Sequence, residues 1–221
     1  MISLFKKKSE NYPDYWKRYE EKFQEKLPEY IDENTFVILD TETTGFDFEK
    51  DRILCIGAVT LKDNTIAITD ALEIYIHQEK FNPETVKIHG IIKNDAAYAL
   101  TEEEAIIKFL AYIENAVLVA HHANFDIGML NQSLKRLGLP KLKNKVLDTM
   151  VLYRATRITS NLIDKEKHYS LDDLAENLNI SVKDRHTAAG DAMITAISFL
   201  KTLTKLNKKD RGKLKDLFKV R

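Results

Sequence analysis

Hydrophobic and polar positions change their period several times along the chain, and each change predicts an element. Between residues 12 and 30, Tyr12, Tyr15, Trp16, Tyr19, Phe23, Leu27 and Tyr30 fall on one face of a helix, with charged residues between them. The stripe predicts an N-terminal amphipathic helix that packs on the main body, with a docking helix for a partner as the alternative. Asp32, Glu33 and Asn34 form a polar break. The apolar run from Thr35 to Asp40 then reads as a buried strand that ends in a carboxylate. A second strand is expected over 52–61 and a third over 65–76, joined by a turn at Lys62-Asp63-Asn64. These three strands predict an antiparallel meander.

Past Pro83 the pattern turns helical. Thr101 with Glu104 makes a capping-box pattern for a helix running to about Ile113, followed by a short buried strand at 116–120. A helix over 124–137 stops at Gly138 and Pro140. A short strand at Val146-Leu147 leads into a helix from about Thr149. Ser170 with Asp173 opens another helix, and a last core helix runs from Thr187 to about Leu203. The order implies an α/β fold: a mixed five-stranded sheet, meander first and parallel strands after, flanked by helices. Three segments follow: a helical extension over 1–34, a core over 35–204, and a basic C-terminal helix or tail over 205–221.

Composition narrows the class. With 44% hydrophobic and 31% charged residues the chain is globular rather than disordered. No apolar run approaches the roughly 20 residues of a membrane span, so no membrane partner is expected. The opening MISLFKKKSE has no secretory pattern. A single cysteine, Cys55, excludes an internal disulfide framework and a cysteine zinc cluster, which suits a reducing cytoplasm. Lys+Arg and Asp+Glu balance at 34 each, so a polycationic grip on nucleic acid is excluded. The balance is uneven along the chain: residues 205–221 hold eight basic and two acidic side chains. Such a tail suits either a solvated terminal helix or an edge that meets a polyanion and holds its phosphates.

The chemistry lies in carboxylates. Asp40 and Glu42 stand two apart at a strand end, so both face the same side of the sheet. Side by side they repel unless a cation or a proton intervenes. Thr41, Thr43, Thr44 and Gly45 add small polar groups and a flexible turn. A second element, His121 to Asp126, follows the fourth strand and includes Asn124. A third, His186 to Asp191, should put His186 on a loop and Asp191 in the first turns of the last helix. Four carboxylates and an imidazole make a hard-cation site suited to Mg²⁺ or Mn²⁺. Two such ions can drive an in-line phosphoryl displacement. A histidine, with an ordinary pKa of about 6.5, suits removal of the water's proton.

In these residues the chain resembles the DEDDh family of 3′→5′ exonucleases, which includes the proofreading epsilon subunits of bacterial DNA polymerase III. The motifs are Asp40 to Gly45, His121 to Asp126 and His186 to Asp191, with Ile88 to Ile91, Leu147 to Thr149 and Tyr169 to Asp172 as further blocks. The resemblance runs from about 35 to 204. It implies a ribonuclease H-like fold, Asp40, Glu42, Asp126 and Asp191 as ligands of two Mg²⁺ or Mn²⁺ ions, and His186 as general base. It also implies release of nucleoside 5′-monophosphates from a single-stranded nucleic-acid 3′ end, DNA favoured over RNA, with a DNA polymerase or repair complex as a further partner. Thr43, Thr44, Gly45, Phe46, His89, His121 and Asn124 are the candidate substrate contacts. One departure is His122, where relatives often carry Asn. An exoribonuclease and a non-catalytic binding module are the alternatives; the module predicts loss of a site residue, and none is lost.

Overall fold

The computed structural model describes residues 12–79, 84–86, 90–91, 98–157, 167–206 and 211–220. Its strands are β1 (Phe36–Thr43), β2 (Ile53–Lys62), β3 (Thr65–Tyr75), β4 (Val117–Ala120) and β5 (Val146–Asp148). They form one five-stranded sheet in the order β3-β2-β1-β4-β5. β1, β2 and β3 pair antiparallel, whereas β4 and β5 are parallel to β1, as the pattern predicts. Asp63 and Asn64 both take positive φ in the β2–β3 hairpin, the geometry that two-residue turns need to match strand twist. The helices are α1 (Asp14–Glu21), α2 (Glu102–Ile113), α3 (Asn124–Arg136), α4 (Thr149–Arg157), α5 (Leu171–Asn177), α6 (Ala188–Leu206) and α7 (Leu214–Leu217). Both expected capping boxes form, at Thr101 with Glu104 and at Ser170 with Asp173.

Alternation along β1 assigns its two faces. Val37 and Leu39 pack in one cluster with Trp16, Tyr19, Phe109 and Met129, on the side of α1, α2 and α3. Phe36 and Ile38 pack in another with Leu152, Phe199 and Leu203, on the side of α4 and α6. Asp40 and Glu42 continue the even-numbered face and therefore look toward α6.

Gly57 decides how close α6 can come. It pairs with Asp40 in the β1–β2 ladder. A Cβ at Gly57 would stand 2.1 Å from the Ala188 carbonyl carbon and 2.4 Å from the Ala189 nitrogen. The bare backbone thus lets the first turn of α6 rest directly on the sheet beside Asp40.

The N-terminal helix is shorter than the stripe predicts. α1 ends at Glu21, a 3₁₀ turn covers Lys22–Gln24, and Glu25 is extended. Trp16, Tyr19 and Phe23 belong to the α1–α2–α3 side of the sheet, but Leu27 packs on the α6 side. One straight helix cannot serve both faces, and Pro28 disfavours helical geometry at Leu27. The chain crosses over instead, and Tyr30 pairs with Lys213.

The described part of the basic tail, 211–220, docks against the start of β1. Arg211 pairs with Asp32 and Glu33, Lys213 with Glu29, and Lys219 with Asp216. Leu214 and Leu217 are buried beside Ile31 and Phe36, at the start of β1. From Asp191 to the end of α6 at Leu206 is 15 residues, roughly 22 Å of helix at 1.5 Å each.

The close approach at Gly57 makes a direct prediction. Gly57→Ala should cost about 1–3 kcal/mol by overpacking and lower the melting temperature by several degrees in thermal denaturation. An unchanged melting temperature contradicts the packing described.

Candidate active site

The C-terminal end of β1 is where the acidic groups gather. One carboxylate oxygen from each of Asp40, Glu42 and Asp191 lies within 4.8 Å of the others. Asp40 and Glu42 arrive by strand alternation. Asp191 arrives because it sits in the first turn of α6, seated by Gly57. The β1–β2 register shifts just after Glu42, so the strand kinks where the site opens. Beyond it, Thr44 Oγ1 donates to Asp51 Oδ1 at 2.8 Å and Thr43 Oγ1 to the Gly45 carbonyl at 2.8 Å. The two threonines and Gly45 therefore shape the loop. A Cβ at Gly45 would meet the Asp51 carboxylate at 2.4 Å.

Asp126 stands beside this trio rather than within it. Its Oδ1 accepts from the Thr41 N–H at 2.9 Å and the Thr41 hydroxyl at 2.7 Å. That N–H is available because β4 pairs with β1 only as far as Ile38. Asp126 reaches it from the first turn of α3, past the end of the short strand.

The electrostatics follow from this crowding. Burial, then the charges of Asp126, Asp191 and Glu42, push Asp40 well above the usual carboxylate range. Burial chiefly lifts Glu42 to about 7 and Asp126 to about 7. The trio is a set of oxygen donors held where proton or cation must relieve their repulsion.

His186 occupies the loop before α6, as expected, and is exposed. Its φ is +64°, in the left-handed region, and its N–H points to Asp191 Oδ1 at 3.4 Å. Beside it, Arg185 donates to both oxygens of Asp172, at 2.7 and 3.2 Å, and through its third nitrogen to Asp191 Oδ2. Sequence reasoning missed this arginine, although it adjoins the motif histidine.

Behind the site, His121 places Nδ1 3.0 Å from Thr149 Oγ1. Burial, helped by the neighbouring His122, lowers its pKa to about 4, so it is neutral. Asp148 accepts the N–H groups of His122, Ala123 and Met150. His122 takes φ +57°, a conformation that Asn and His tolerate better than most residues. Asn124 is exposed at the start of α3. Phe46 is 75% exposed and packs at a tilt against Phe125, which Phe48 also contacts. Phe48 and Phe125 are a second omission of the sequence reading: only the fold brings them together. His89 lies outside the described residues. Cys55 is buried, and burial raises its thiol pKa.

Comparison with known proteins is consistent with this geometry. Residues 37–199 match the family model RNase_T, described as Exonuclease. The chain is 39% identical over 175 residues to the DNA polymerase III PolC-type of Caldanaerobacter subterraneus subsp. tengcongensis, covering 79% of this chain and 12% of that protein. It therefore spans about an eighth of such relatives. It is 31% identical over 182 residues to the DNA polymerase III subunit epsilon of Aquifex aeolicus, covering 82% of this chain and 86% of that one. In fold it is similar to Exonuclease X in complex with 5′ overhanging duplex DNA, with TM-score 0.61, 22% identity, and 82% and 98% of the two chains covered. It is also similar to E. coli Exonuclease I in complex with a dT13 oligonucleotide, with TM-score 0.64, 19% identity, and 78% and 41% covered.

The raised carboxyl groups set a pH dependence. A group whose folded pKa exceeds its unfolded value of about 4 stabilises the fold when protonated. That contribution is lost as pH rises toward 7 through Glu42 and Asp126. His121, with its lowered pKa, pulls the other way below about 6.5, but three raised carboxyls outweigh it. In EDTA the melting temperature should be higher at pH 5.5 than at 7.5, with a shallower slope in Glu42→Gln. A melting temperature that rises through this window contradicts the electrostatics described.

Proposed function

Because the chain belongs to the exonuclease family, we propose that it is a divalent-metal-dependent 3′→5′ exonuclease releasing nucleoside 5′-monophosphates from single-stranded DNA. The observation that carries this reading is the convergence of Asp40, Glu42 and Asp191 within 4.8 Å, beside an exposed histidine and an exposed aromatic ring.

The donor set fits Mg²⁺ or Mn²⁺, since all the ligands are hard carboxylate oxygens. Asp40, Glu42 and Asp191 would hold the ions, with Asp126 as a flanking fourth carboxylate. When bound, such a pair supplies Lewis acidity to the phosphoryl group and acidifies water. The remaining work falls to the chain. His186, free at the mouth, takes the proton from the attacking water. The new bond joins that oxygen to phosphorus, the bond to the 3′ oxygen breaks, and the 3′ oxygen takes a proton from solvent. Phe46, backed by Phe125 and Phe48, offers a face for the terminal base. Such stacking is worth roughly 1–3 kcal/mol and tolerates any base.

Relatives named as DNA polymerase III components support a proofreading or repair setting with a polymerase partner. The neighbour that holds dT13 supports single-stranded DNA as the substrate class.

The test is hydrolysis of matched DNA and RNA oligonucleotides, labelled at one end, with Mg²⁺ or Mn²⁺. Asp40→Asn and Asp191→Asn should abolish mononucleotide release. His186→Ala should lower kcat by about 10²–10⁴-fold while metal binding persists. Phe46→Ala should raise KM more than it lowers kcat. Wild-type activity in Asp191→Asn sinks the reading, and faster cleavage of RNA than DNA replaces the substrate.

A further inference from the structure

Arg185 is the one cation in direct contact with the trio among the described residues, and neither general acid–base chemistry nor substrate stacking uses it. It is largely buried, with 17% of its side chain exposed, against 9% for Asp191 and 63% for Asp172. Gly190 brings it there: a Cβ at Gly190 would stand 1.9 Å from the Asp184 carbonyl oxygen. The 184–187 turn therefore folds tightly onto the first turn of α6. The guanidinium then spans two carboxylates. Its Nε and one terminal nitrogen grip Asp172, in the first turn of α5, and the other terminal nitrogen donates to Asp191 Oδ2.

Both oxygens of Asp191 already accept a hydrogen bond, which leaves about half of its lone-pair sites for an ion. Arg185 occupies Oδ2, and the His186 N–H approaches Oδ1. A divalent ion on Asp191 must therefore share a carboxylate with a guanidinium, and the two positive charges repel. Asp172 gives the arginine a fork-shaped second anchor, so it can release Asp191 without losing its charge partner.

We propose that Arg185 is a resident counter-charge of the acidic centre, holding Asp191 in place until a divalent ion displaces that arm of the guanidinium. The inference rests on the proposed reading of Asp40, Glu42 and Asp191 as an ion site. Arg185 is a positioning residue: it acts through Asp191. Competition of this kind lowers apparent metal affinity by the fraction of molecules whose Asp191 is free.

The test compares Mn²⁺ affinity, from free-Mn²⁺ electron paramagnetic resonance, with melting temperature in EDTA. Arg185→Gln should bind Mn²⁺ about ten-fold more tightly, the change expected if about one molecule in ten has Asp191 free. It should also melt several degrees lower in EDTA, so that added Mn²⁺ raises its melting temperature by more than in the wild type. Arg185→Lys keeps the charge without the planar fork and should fall between the two, a control for any folding defect in the first variant. Unchanged or weaker Mn²⁺ binding in Arg185→Gln overturns the inference. Asp191→Asn separates the two claims. If it binds Mn²⁺ as the wild type does, the ion-site reading fails and the counter-charge falls with it. If it loses Mn²⁺ while Arg185→Gln gains nothing, only the counter-charge fails.

Discussion

Everything in this molecule is arranged around a repulsion. Three carboxylates converge at one strand end, a fourth stands beside them, and burial strips away the water that would screen them. Left alone, such a group drives up its own pKa values or pushes apart. The sheet prevents the second outcome. Asp40 and Glu42 are fixed by a paired strand, and Asp191 is fixed by a helix resting on a glycine. The remaining relief is positive charge, from a proton, an arginine or a metal ion. Stability and chemistry are thus two consequences of one electrostatic constraint.

Much of this was legible in the chain. The strand and helix order follows from hydrophobic period together with capping and turn residues, and the same-face placement of Asp40 and Glu42 follows from strand alternation. His186 falls on a loop and Asp191 in the first turn of α6, as the spacing implies. What the sequence hid is contact between distant segments. The aromatic stripe over 12–30 looks like one helix, because periodicity does not say which side of the sheet each ring meets. Trp16 and Leu27 lie on opposite sides, and the helix must stop between them. Arg185 looks like a surface residue until Asp172 is seen to face it across the α5–α6 junction. Asp126 meets the Thr41 N–H and hydroxyl just past the end of β4, a contact that pattern alone does not give.

Glycine carries more of the architecture than the acidic residues that it serves. Gly57 has no side chain to contribute, yet a methyl group there would collide with the backbone of α6. Gly190 closes the turn that presents Arg185 and His186. The described part of the basic tail packs on the start of β1 through paired charges and two buried leucines. One end of the sheet is thereby left to hold the fold and the other to hold the chemistry.

The central claim is that the trio is a cation site. Anomalous diffraction from crystals equilibrated with Mn²⁺ tests it most directly. The account predicts a peak within about 2.0–2.3 Å of oxygens from Asp40 and Asp191, with the Arg185 nitrogen withdrawn from Asp191. Manganese bound only elsewhere, with the three carboxylates still packed together and ion-free, would contradict it.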